Sequence, residues 1–112
     1  MATSDLTFPA ATSVVRVRML DTTDVLTVKA KELLEPVQKG HEVLNLTCVA
    51  FLLEHEPSSR KVMFDLGIRK DYWNLPSVVQ KRLCTLPGLK VDKDTTEILM
   101  DNQISLNSIC KY

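Results

Sequence analysis

Residues 46–67, LTCVAFLLEHEPSSRKVMFDLG, decide how this chain folds. Their first half is an apolar run, unbroken from Cys48 to Leu53, with aromatic and β-branched members. Such a run is expected of a strand buried on both faces. EPSSR (56–60) interrupts it, with Pro57 and two serines as turn formers. KVMFDLG (61–67) then returns as a second strand. The two runs predict an antiparallel hairpin whose loop is longer than the tight two-residue kind.

Upstream, VVRVRML (14–20) alternates strictly, with Val15, Val17 and Met19 on one face and Arg16 and Arg18 on the other. Period two predicts a strand with its valines toward the core and its arginines wet. DTTD (21–24) is turn-prone, and 25–41 is ambiguous, with Pro36 and Gly40 making its second half a loop. Residues 1–13 read as a flexible lead-in.

Downstream, Leu75, Val79, Leu83 and Leu86 recur at helical spacing. Asn74 is the expected cap, Pro76 is tolerated in the first turn, and Pro87-Gly88 ends the helix. LKVDKD (89–94) predicts a short edge strand with lysines to solvent. DTTEILMDNQ (94–103) carries Asp94 and, three residues on, Glu97, a variant of the capping box, with Asn102 placed to close the helix in the left-handed conformation. ISLNSICKY (104–112) would begin a further strand. The order predicts an α+β fold, a mixed and mostly antiparallel sheet with helices on one face. The second sheet face then needs a cover that no remaining segment supplies.

With 112 residues there is room for one core. The 14 basic residues balance the 14 acidic ones, so the charge footprint of nucleic-acid or anionic-membrane binding is missing. Three cysteines, Cys48, Cys84 and Cys110, are too few and too scattered for a disulfide framework and point to a reducing, cytoplasmic setting. The N-terminal residues lack the basic and apolar regions of a signal peptide, and no apolar run could cross a bilayer.

Three glycines, Gly40, Gly67 and Gly88, cannot form a phosphate-binding loop. His41 and His55 lie fourteen apart, which is not a ligand spacing on one element. A Cys–His nucleophile pair would have to meet in space. The plain reading makes the cysteines core residues and the histidines loop residues. Asp65 ends a strand two residues before Gly67, so its carboxylate can accept hydrogen bonds from its own turn. The functional alternative is a carboxylate delivered to the rim of a site. RKDYWNL (69–75) reads as a solvated turn whose aromatics pack over the hairpin edge.

VRVRMLDTT, FLLEHEPSSRKVMFDLGIRKDYWNLP and VDKDTTEILMDNQISLNSI together resemble the N-terminal part of the metallo-β-lactamase superfamily, in its fungal lactonase-like branch. The specific block is FDLGIRKDYWNLP (64–76). The resemblance implies the N-terminal half of an αββα sandwich over 14–112. It also implies zinc as the cofactor of full-length relatives, and a metal-bound hydroxide attacking an ester, thioester, lactone or lactam carbonyl. Asp65 and Gly67 match the strand-end Asp-x-Gly that shapes the metal pocket without ligating. Gln103 stands where relatives place a helix-ending glycine. The family's His-x-His-x-Asp-His motif would follow SLNSI and is not found before Tyr112. The expectation is therefore a shortened and inactive form of a hydrolase, with no catalytic residue, metal ligand or cofactor of its own. The alternative is a non-catalytic module that associates, with itself or another partner, through an exposed apolar sheet face or edge.

Overall fold

The computed structural model describes residues 7–22 and 24–110. In chain order its elements are β1 (Arg16–Asp21), β2 (Val25–Lys29), β3 (Val43–Leu46), β4 (Val49–His55), β5 (Arg60–Phe64), α1 (Ser77–Leu83), β6 (Gly88–Lys90) and α2 (Thr95–Asp101). The α+β class stands. The single sheet does not: there are two three-stranded antiparallel sheets, ordered β1-β4-β5 and β3-β2-β6. The break falls at 22–24, where the buried Thr22 and Asp24 separate β1 from β2. β2 then takes β3 and β6 as its neighbours.

The hairpin forms as expected, with Phe51 opposite Phe64, Leu53 opposite Val62 and His55 opposite Arg60. Glu56–Ser58 makes a 3-10 turn, and Ser59 takes a left-handed φ of 53° to re-enter β5. The orientation of β1 is opposite to expectation. Val17 and Met19 are 59% and 63% exposed, whereas Leu20 is buried. Strand pairing explains this. Arg18, Leu20, Leu52 and Ala50 share the face under α2, and Arg18 reaches that face because Glu54 neutralises it at 2.9 Å. The core there is Leu20, Ala50, Leu52 and Leu99, with Met63, Ile98, Ile104 and Ile109 packed around it. β4 is accordingly buried on one face and half-buried on the other, not enclosed on both.

α1 also departs from expectation at its start. Asn74 does not cap it but belongs to a 3-10 turn, with its amide on Asp71 at 3.2 Å. Pro76 is the reason. A proline excludes helical backbone in the residue before it, and Leu75 is extended (φ −75°, ψ 159°), so the helix begins only at Ser77.

α2 begins as expected. The Asp94 carboxylate accepts from Glu97 N at 2.9 Å, and Asp94 N donates to the Glu97 carboxylate at 3.0 Å. Its end is displaced by one residue. Asn102 has φ −94°, and Gln103 is left-handed at φ 61°. Ile104 N donates to Leu99 O at 2.9 Å and Gln103 N to Met100 O at 3.0 Å, the paired bonds of a Schellman ending. Beyond it the expected strand is reduced to a 3-10 turn, Leu106–Ser108, and one parallel bridge, Ile109 to Lys61. Lys111 and Tyr112, like residues 1–6 of the lead-in and Thr23, lie outside the described residues.

The resulting body is a broad layer, 49 × 47 × 23 Å, with a radius of gyration of 18.7 Å. A compact domain of about 100 residues has roughly 13 Å. Gln103 offers a direct test of the helix ending. Glycine adopts a left-handed φ without the steric cost other residues incur, so Gln103→Gly should stabilise the chain by about 0.5–1 kcal/mol. Chemical denaturation should show a higher midpoint at unchanged slope; a lowered midpoint would contradict the assignment.

Candidate functional site

The strand-end loop after β5 is the most constructed part of the surface. Asp65 and Gly67 both take left-handed backbone, φ 63° and 65°. Aspartate tolerates this region because its side chain can bond locally. Asp65 Oδ1 accepts from Leu66 N at 2.6 Å and Gly67 N at 2.8 Å. The carboxylate is thus engaged by its own turn, which is the plain reading of Asp-x-Gly. Gly67 is required for a second reason: a Cβ there would stand 3.1 Å from Thr22 Cγ2 and 3.7 Å from Asp24 Oδ2.

α2 clamps the far side of this loop. Thr95, itself buried, donates its hydroxyl to Leu66 O at 2.6 Å. Lys70 Nζ binds both Glu97 carboxylate oxygens, at 2.8 and 3.0 Å. Arg69 and Asp71 close the loop with two bonds of 2.7 Å. Arg69 and, less strongly, Asn74 hold the Asp71 carboxyl well below its usual range. Tyr72 and Trp73 pack edge to face at 5.6 Å, and Trp73 stays 60% exposed.

Beneath the loop lies a group that sequence reading treated only as turn. Asp24 is buried beside Gly67, and neither of its carboxylate oxygens has a hydrogen-bond partner among the described residues. Thr22 donates to Cys48 O at 2.8 Å and so pins the start of β4 to the same corner. Burial, reinforced by the Asp24 and Asp65 charges, pushes the Cys48 thiol up. A raised thiol stays protonated and is a poor nucleophile, which counts against Cys48 as the centre of a cysteine-dependent enzyme. An acidic residue at the junction of two strands was the available signal for Asp24.

The histidines stand apart from this corner. His55 contacts Ser58 and Ser13 hydroxyls at 2.6 and 3.2 Å, and His41 closes a turn with its amide on Gln38 O. Among the described residues no three His, Cys, Asp or Glu side chains are grouped so as to hold a metal ion. Zinc therefore has no ligand set within them, and what Asp65 and Gly67 set is the turn of their own loop. A mostly apolar cavity of about 600 Å³ adjoins the loop, lined by residues including Val62, Leu66, Arg69, Leu99 and Ile109. No described helix is long and apolar enough to cross a membrane.

Two measurements check this geometry. Gly67→Ala combines a left-handed φ with a 3.1 Å contact on a buried side chain, so it should cost about 1–3 kcal/mol of stability. A loss within error of zero would show that the loop is free to shift. The Glu97 carboxyl lies below its usual 4.5, first because Lys70 bonds it and second through the Asp94 backbone amide. A depressed folded value contributes stability above the unfolded value, and that stability is lost as pH falls through the folded one. Thermal midpoints should therefore drop from pH 6 to pH 3, and drop less steeply in Glu97→Gln.

Among curated proteins the chain is similar to the gamma-lactamase FDB1 of Fusarium pseudograminearum (strain CS3096), 37% identical over 107 residues. The match takes in 90% of this chain and 26% of the relative, so the chain spans about a quarter of that protein's length. No family model and no solved structure matches significantly. The match bears out the likeness carried by FDLGIRKDYWNLP: the chain is similar to a fungal lactamase of the metallo-β-lactamase type over a portion of that longer protein.

Proposed function

We propose that the chain is the scaffold portion of a zinc-dependent hydrolase acting on a cyclic amide, lactone or related ester carbonyl. The single observation that carries the reading is the 37% identity to a gamma-lactamase over nearly the whole chain. The local geometry supports it. The bridge between Lys61 and Ile109 is parallel, so it directs the chain along β5 toward the Asp65 end. That direction suits the N-terminal half of a sandwich whose ligands cluster at one sheet end. In this reading zinc, when bound in a full-length relative, polarises the carbonyl and supplies a water of lowered pKa. The residues of this chain hold the loop beside it: Asp65 and Gly67 fix its turn, and Thr95 and Glu97 fasten it to α2. The segment by itself is non-catalytic, because the ligands come from the remaining length of such a protein. Three unpaired thiols support a cytoplasmic setting.

A chimera tests this directly. The chain is joined in frame to the part of the Fusarium gamma-lactamase beyond the matched quarter, with the chain alone as control. The chimera should bind zinc and open a γ-lactam or lactone ring, and the chain alone should do neither. A folded, zinc-loaded chimera without hydrolysis, beside an active parent, would overturn the assignment. The second reading, an association module, is favoured by the exposed face of the β1-β4-β5 sheet.

A further inference from the structure

We draw no further inference here: the strongest candidate, the buried Asp24 carboxylate beneath the Asp65–Gly67 loop, belongs to the site already described, and nothing among the described residues shows what its oxygens would bind.

Discussion

The Glu97 carboxylate is the joint on which the described structure turns. One of its oxygens accepts from Asp94 N and completes the capping box that starts α2, and the same carboxylate takes Lys70 from the loop after β5. A seven-residue helix is too short to persist on propensity. Its existence depends on caps at both ends and on Leu99, which is 2% exposed against Leu20, Ala50 and Leu52. The box fixes where the helix begins, Leu99 fixes which face turns inward, and Lys70 fixes where the loop lies relative to both. The bond from Thr95 to Leu66 O adds a link from a buried hydroxyl, where an unpaired donor would be costly. Without this joint the strand-end turn at Asp65–Gly67 would have a fixed shape but no fixed position.

The parts legible in the sequence are those whose physics is local. The hairpin, the capping box and the edge strand at β6 follow from residues within a few positions of one another. Asp65 is legible for the same reason, since an Asp-x-Gly turn carries its own acceptor and its own donors. The resemblance implies a helix-ending glycine at Gln103, and the structure puts a left-handed φ of 61° there.

What stayed illegible depends on partners distant in sequence. Alternation in VVRVRML shows that β1 has two faces but not which one is inside. The answer lies with Glu54, whose side chain is 14% exposed and draws Arg18 to the covered face, and with Leu20, which alone of β1 enters the core. The split into two sheets lies with β2 choosing β3 and β6. Asp24 looked like one more turn residue because Gly67, which lies beside it in the structure, comes more than forty positions later. The Asn74 cap failed for a local reason that outranked it, the restriction Pro76 places on Leu75.

These failures share one cause with the apolar face. A three-stranded sheet has two faces, and α2 with residues 104–110 covers one of them. The apolar residues of the other face, Val17 and Met19 of β1, Phe51 and Leu53 of β4, and Val62 and Phe64 of β5, are therefore assigned correctly in kind but have no core to enter within the described residues. Val17, Met19 and Phe64 are hydrophobic for a surface that the layer itself does not provide. Burial among the described residues satisfies only half of the pattern. Val17, Met19 and Phe64 lie on the face that α2 leaves uncovered among the described residues, and their exposure follows from strand pairing and not from any fault in the pattern.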